Sequence, residues 1–210
     1  MSGYLGSFRN FRHTSSPTRQ FVSQTCYSMK GMLILASASP RRHELLLGAG
    51  IEHTVQPSHV PEDRLPNEGP VAFVHRIAEV KARAAARGLE DLVLAADTVV
   101  VVDDEVLGKP IDAADATRML KLLSGREHLV YTGICLVSNS KVIVDVAATT
   151  VRFVKLTDQE MASYVQSGEP FDKAGAYAIQ GLASKFVSSI NGCYFNVVGL
   201  PVSLVYSYLK

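Results

Sequence analysis

The sequence predicts an α/β fold built on a mixed sheet. Two observations carry this. Short apolar runs that read as strands alternate with segments whose apolar residues recur at helical spacing. At two places, consecutive strand-like runs are joined by a short polar turn, which is a hairpin signal. Strand–helix alternation together with hairpins fits an α/β sheet with both parallel and antiparallel pairs. No internal repeat at a fixed period is visible.

The elements follow in order. Leu33-Ile34-Leu35-Ala36 reads as a buried strand. Ser39 suits an N-cap and Pro40 the first helical position, so a helix is expected through Leu47, stopping near Gly48 or Gly50. Residues 56–70 hold four prolines and several acids and read as a loop. A second helix is expected from about Val71 to Arg87, with Val74, Ile77, Ala78, Ala82 and Ala85 as its apolar stripe. Leu92 to Val102 is a strand, Asp103-Asp104-Glu105 a turn, and Val106-Leu107 a short return. A third helix starts at Asp112, packs through Ala116, Met119, Leu120 and Leu123, and ends at Ser124-Gly125. Strands at about 127–138 and 141–155 flank a Ser138-Asn139-Ser140 turn. Thr157 and Glu160 form a capping box for a fourth helix ending at Gly168. Residues 169–200 are glycine-rich without a clear period, and Pro201 opens a last helix.

The 210 residues suit one domain or two small lobes, and the 47% apolar share is ordinary for a packed core. No apolar run is long enough to cross a bilayer, so no membrane span is expected. Charge is unevenly placed. Residues 1–31 carry Arg9, Arg12, Arg19 and Lys30 and no acid. Taking these four from the 21 bases leaves 17 against 20 acids for residues 32–210. A slightly acidic body excludes broad contact with duplex nucleic acid but leaves room for a local basic cluster. The three cysteines, Cys26, Cys135 and Cys193, are odd in number and lack metal-ligand spacing, which fits a reducing compartment such as the cytoplasm. Residues 1–31 are expected to be a flexible extension outside the folded domain. Their composition also suits a mitochondrial transit peptide, although no amphipathic helix is evident.

Five features could carry chemistry. Ser37-Ala38-Ser39-Pro40-Arg41-Arg42 lies where a strand hands over to a helix, a place that favours an anion. Taken alone, a capped helix with solvated arginines explains it. Asp97 lies in Leu94-Ala95-Ala96-Asp97-Thr98-Val99-Val100 with four valines after it, so it is not at a strand end. A carboxylate there is costly unless paired or metal-bound, which points to function. Lys109, in Gly108-Lys109-Pro110, should be carried back beside Asp97 by the hairpin, although a solvated turn lysine is common. Lys81 falls inside the apolar stripe of its helix and must either snorkel or meet an anion. Glu62, Asp63 and Glu68 are oxygen donors of the kind that hold Mg²⁺ or Mn²⁺, but Asp63 and Glu68 by themselves read as solvated loop acids. Gly192, Gly199 and Pro201 lie in a loop able to approach a ligand. No Walker loop, His-Glu-x-x-His or Gly-x-Ser-x-Gly elbow is present. The set suggests a divalent metal and a phosphate-rich ligand without choosing a reaction.

Seven stretches, in order, resemble the Maf family of nucleotide pyrophosphatases. They are Leu35-Ala36-Ser37-Ala38-Ser39-Pro40-Arg41-Arg42, Glu79-Val80-Lys81-Ala82, Ala96-Asp97-Thr98-Val99-Val100, Gly108-Lys109-Pro110, Ser124-Gly125-Arg126-Glu127-His128, Lys173 to Gly181, and Asn196 to Pro201. Together they span about residues 32–209 and are specific as a set. The resemblance implies an elongated mixed α/β sheet flanked by helices, with two lobes around a central cleft, similar to the inosine triphosphatase-like fold, formed by residues 32–210. It implies hydrolysis of a nucleoside triphosphate to the monophosphate and pyrophosphate. Asp97 matches the general base, Glu62 a metal ligand or water orienter, and Lys109 and Lys81 the phosphate-contacting lysines. Ser37, Arg41, Arg42, Thr98 and Gln180 match substrate-binding positions. Glu62 and Asp97 would serve a Mg²⁺ or Mn²⁺ ion.

The stretch Ala176-Tyr177-Ala178-Ile179-Gln180-Gly181 is similar to the subgroup acting on dTTP, UTP and modified pyrimidine nucleotides. Ala178 stands where the family usually has Gly, and Cys193 where it usually has Ser. The family also suggests a homodimer. The rival readings are a non-enzymatic nucleotide-binding regulator of cell division and a phosphatase that releases single phosphates. A pure binder has no need of an unpaired strand Asp, and the product separates the two enzymes.

Overall fold

The computed structural model describes residues 32–88, 92–138 and 141–210. The expected extension, residues 1–31, and Asn139-Ser140 of the second hairpin turn lie outside the described residues. Strand β1 (Leu33–Leu35) is followed by α1 (Pro40–Gly48), β2 (His53–Val55), α2 (Pro70–Ala85), β3 (Leu92–Val102) and β4 (Glu105–Leu107). Next come α3 (Ala113–Leu123), β5 (Glu127–Ser138), β6 (Lys141–Phe153) and α4 (Asp158–Gln166). Short 3-10 turns at Glu169–Asp172, Ala174–Ala176 and Leu182–Phe186 lead to β7 (Val187–Asn191), α5 (Tyr194–Val198) and α6 (Val202–Leu209).

The strands form one mixed sheet in the order β2-β1-β3-β5-β6-β7, with β4 also paired to β3. Strand β1 is parallel to β2 and β3, as strand–helix–strand crossovers require, and the remaining pairs are antiparallel. One edge of β3 is shared. Strand β1 takes Leu92, Val93 and Leu94, and β4 takes Val100, Val101 and Val102. Between them, around Asp97 and Thr98, no described strand pairs with that edge. The interruption places the cleft.

Several local expectations need correcting. The first hairpin turns on Asp103 and Asp104, with φ of 48° and 66°, and Glu105 already belongs to β4. Two left-handed residues match the strand twist of a two-residue hairpin. Ser39 starts α1 but makes no side-chain cap. Instead its own N–H donates to Ser37 Oγ at 3.2 Å. Helix α2 ends at Ala85, two residues before Arg87, because Ala86 is extended (ψ 116°). Strand β6 ends at Phe153, where Val154 N–H turns to Phe186 O at 2.8 Å. The Thr157–Glu160 capping box is formed as expected.

Helix α2 covers one face of the sheet. Ala78, Ala82 and Ala85 pack on Val93, Ala95 and Cys135, while Phe73, Val74 and Ile77 pack on Val99 and Val101. Gly133 of β5 lets the helix come down, since a Cβ there would lie 2.3 Å from Val74 O. The opposite face carries two blocks. Leu92, Leu94 and Ala96 meet Leu46 of α1 and Val205 and Leu209 of α6. Val100 and Val102 meet Met119, Leu120 and Leu123 of α3 together with the aromatic residues Phe153, Tyr164, Tyr177 and Phe186. Thr98 is the β3 residue between the two blocks. The alternation of β3 thus puts Asp97 beneath α2 and Thr98 on the other face, both at the open edge.

Candidate active site

Asp97 and Lys81 meet under α2. The Lys81 ammonium donates to Asp97 Oδ1 at 2.8 Å and pairs with Glu62 Oε1 at 2.8 Å. Asp97 is 6% exposed and Lys81 7%, so neither charge is tolerable without the other. This explains a lysine inside an apolar stripe. Burial raises the Asp97 pKa above the ordinary carboxylate value, while Lys81 and then Arg42 pull it down and Glu62 pushes it up. The result is a carboxylate more basic than a solvated one.

Glu62 reaches this pair from the loop before α2. That loop is held by Arg76 of α2, which grips the Glu68 carboxylate at 2.6 and 2.7 Å and the Asp63 carbonyl at 2.9 Å. The Arg76 bond brings the Glu68 pKa down to about 2. Among the three loop acids, Glu68 and the Asp63 backbone brace the loop, and only Glu62 is turned to the Asp97–Lys81 pair.

Across the open edge, Arg42 of α1 is buried. It donates to Ser37 Oγ (3.1 Å), Thr98 Oγ1 (3.1 Å) and Gly199 O (2.8 Å). Three of its five N–H groups are used this way. Ser37 Oγ accepts from both Arg42 and Ser39 N–H, which leaves its own O–H to donate. Gly199 has φ 123°, a conformation that side chains disfavour, and this aims its carbonyl at Arg42. Thr98 Oγ1 lies 2.9 Å from Thr132 Oγ1, which donates to Asn196 O at 3.2 Å. A hydrogen-bonded path therefore runs from Arg42 across β3 and β5 to α5. Gly199 lines the cavity, whereas Gly192 packs against Thr149 of β6.

These groups line a cavity of about 570 Å³, a size ordinary for a small-molecule site. Of the residues singled out in the sequence, Ser37, Arg41, Arg42, Glu62, Lys81, Asp97, Thr98, Lys109 and Gln180 all line it. The antiparallel return of β4 carries Lys109 back along β3, as expected. Lys109 and Gln180 are exposed at its wall. Arg41 Nη1 donates to Asp172 Oδ2 at 3.0 Å, and Asp172 also holds Lys173. Asp172, Lys173, Tyr177, Ser58 and His59 line the same cavity and were not foreseen as site residues. Nothing in their spacing marks them, because loops from distant parts of the chain bring them in. Lys173 and Tyr177 do fall within a stretch that carries the family resemblance.

A divalent metal is tested by the donor set. Among the described residues, no cluster of three or more His, Cys, Asp or Glu converges. Two carboxylates, Glu62 and Asp97, are brought together at the Lys81 ammonium, each 2.8 Å from it. Mg²⁺ or Mn²⁺ commonly binds one or two carboxylates and completes its shell with water and substrate phosphate. The pair fits that pattern, whereas a closed all-protein cage does not. Among the described residues Cys135 and Cys193 are unpaired, and burial pushes the Cys135 thiol up to about 12, so it is inert.

A family model described as Maf-like protein matches residues 32–210. The dTTP/UTP pyrophosphatase of Koribacter versatilis is 50% identical over 185 residues, covering 88% of this chain and 96% of that protein. The dTTP/UTP pyrophosphatase of Citrifermentans bemidjiense is 51% identical over 181 residues, covering 85% and 94%. Among solved structures, the Staphylococcus aureus Ham1 protein is matched over 85% of this chain and 97% of that one, with 14% identity and a TM-score of 0.46.

Proposed function

The chain belongs to the Maf family, and from that premise we propose that it hydrolyses dTTP, UTP and related pyrimidine nucleoside triphosphates to the monophosphate and pyrophosphate. The observation that carries the reading is the buried Asp97–Lys81 pair at the open edge of β3, joined there by the exposed Glu62, inside a cavity lined by Arg41, Arg42 and Lys109. It joins one basic carboxylate to several cations where a polyphosphate can lie.

The chemistry follows from those residues. Asp97 takes the proton of a water whose oxygen bonds to the α-phosphorus. The bond from that phosphorus to the bridging oxygen breaks, and pyrophosphate leaves with the electron pair. Lys81 pulls the Asp97 pKa down against the effect of burial and is near enough to share its charge with the reacting phosphate. Arg41 and Lys109 balance charge on the departing pyrophosphate, and the Ser37 O–H donates to a phosphate oxygen. Arg42 and Thr98 form the wall against which the substrate lies. A divalent cation held by Glu62 and Asp97 would neutralise phosphate charge and make the attacking water more acidic. The Gln180 amide, able to donate and accept, pairs with a pyrimidine edge.

We also propose that residues 32–210 act as one catalytic unit with two lobes, as a cytoplasmic homodimer acting on free nucleotides. No described helix is long and apolar enough to cross a membrane. The test is incubation with Mn²⁺ and dTTP, UTP, CTP, GTP or 7-methyl-GTP, with Asp97→Asn as control, measuring monophosphate and pyrophosphate. Pyrophosphate from dTTP and UTP, lost in the control, supports the reading. Binding without turnover, or release of orthophosphate alone, overturns it.

A further inference from the structure

The stretch from Ala174 to Leu182 carries Tyr177, Ile179 and Gln180 into the cavity wall, yet Tyr177 to Gly181 belong to no regular element. Its backbone is not relaxed. Ala176 has φ 58°, which a residue with a side chain adopts only under external constraint. The constraints are visible. Gly175 N–H donates to Gly108 O at 3.0 Å, Ala178 N–H to Tyr164 Oη at 3.2 Å, and Leu182 N–H to Glu169 Oε2 at 2.9 Å. The deepest is the bond between Tyr177 Oη and His128 Nε2, at 2.9 Å.

His128 has no contact with the cavity. It sits on β5 with 3% exposure, its ring edge-on to Phe153 (5.1 Å) and Tyr177 (5.4 Å). Among the described residues its Nδ1 has no hydrogen-bond partner. An aromatic hydrocarbon would fill this place without the cost of an orphaned buried nitrogen. Among the described residues, the one polar contact that an imidazole gains here is the Tyr177 hydroxyl. Tyr177 lies three residues before Gln180.

We propose that His128 is a positioning residue for nucleobase selection: by holding the Tyr177 hydroxyl it fixes the strained segment that presents Gln180 to the base. This rests on the pyrimidine nucleotide reading above. His128 touches neither the base nor the phosphates and takes no part in proton transfer. The Asp97–Lys81 group lies on the other face of β3, so loosening the segment acts at the base end of the substrate and leaves that group in place.

The experiment compares the wild type with His128→Phe, His128→Gln and Tyr177→Phe in steady-state kinetics on UTP and CTP. His128→Phe keeps the ring contacts and removes the hydrogen bond. It is expected to raise KM for UTP about five- to tenfold, the size of one lost buried hydrogen bond, and to narrow the UTP-to-CTP ratio of kcat/KM, while kcat falls far less. His128→Gln, whose amide can meet the hydroxyl, is expected to recover part of both. If His128→Phe fails to fold, Tyr177→Phe, which loses only the hydroxyl, is read by the same criteria. Wild-type KM and selectivity in the folded variant overturn the inference, as does an equal fall in kcat for both nucleotides with KM unchanged. If the wild type itself turns over no nucleotide, the functional reading falls and takes this inference with it. Wild-type turnover with unaffected variants sinks the positioning role alone.

Discussion

His128 makes a prediction about stability as well as selectivity. Burial holds its pKa at about 4, against 6.5 for an exposed imidazole. Unfolding exposes the ring, so between these values the unfolded chain binds a proton that the folded chain refuses. Stability is therefore unaffected well above pH 6.5 and falls as the pH drops through 6.5 towards 4. Linkage for one such group gives a loss of about 2 kcal/mol between pH 7 and pH 5, and about 3 kcal/mol by pH 4. The perturbation is His128→Phe, which keeps the edge-on contacts with Phe153 and Tyr177 but cannot titrate. The assay is urea unfolding of wild type and variant at pH 7, 6 and 5. Carboxylates titrate in both proteins, so the difference between them isolates the imidazole. From pH 7 to pH 5 that difference should move by about 2 kcal/mol in favour of the variant. Parallel stability curves would mean that the folded protein admits the proton, and would refute the picture of a desolvated, neutral His128.

Other perturbations have equally definite outcomes. Lys81→Met removes the cation between Asp97 and Glu62, so Asp97 holds its proton more tightly. The acid limb of the pH–rate profile should move to higher pH, and the fold should lose roughly 3 kcal/mol, as when one partner of a buried pair is deleted. An unmoved acid limb would remove Asp97 from the role of base. Gly133→Ala places a methyl carbon 2.3 Å from Val74 O and should lift α2 from the sheet. A loss of roughly 3 kcal/mol or more in calorimetry is expected, and a neutral result would contradict the close helix–sheet approach. Asp172→Asn frees Arg41 from its carboxylate. Because exposed ion pairs contribute only about 0.2–1 kcal/mol, nucleotide affinity by calorimetric titration should rise no more than about fivefold. Weaker binding would show that Asp172 supports the ligand instead of competing for Arg41.

The long elements are legible in the sequence for simple reasons. Helix α2 repeats its apolar residues at helical spacing, β3 is an apolar run interrupted only by Asp97 and Thr98, and Thr157 with Glu160 signals the start of α4. Strands β2 and β7 are not legible. His53–Val55 is a three-residue strand with two exposed positions, and Val187–Asn191 is a half-exposed edge strand. Neither needs an apolar alternation, because β1 and β6 impose their pairing. Helix α5, five residues long, has no room for a period.

The site divides in the same way. Asp97 and Lys81 stand out because each breaks the pattern of its element, and the structure explains one anomaly by the other. Arg42 reads as a second phosphate arginine beside Arg41, and only the fold reveals that its guanidinium ties Ser37, Thr98 and Gly199 together. Asp172, Ser58 and His59 sit on loops where polar residues are unremarkable. Gly133 could be noticed as a glycine inside a strand, but the helix it admits comes from sixty residues earlier in the chain. His128 is a lone histidine in an alternating strand, and its partner is 49 residues away.

The central claim is that the Asp97 group directs water at the α-phosphorus. The most direct measurement is hydrolysis of UTP in water enriched in ¹⁸O, with mass analysis of both products. The account predicts one heavy oxygen in UMP and none in pyrophosphate. Label in the pyrophosphate, or orthophosphate in place of pyrophosphate, would put the attack at another phosphorus and contradict it.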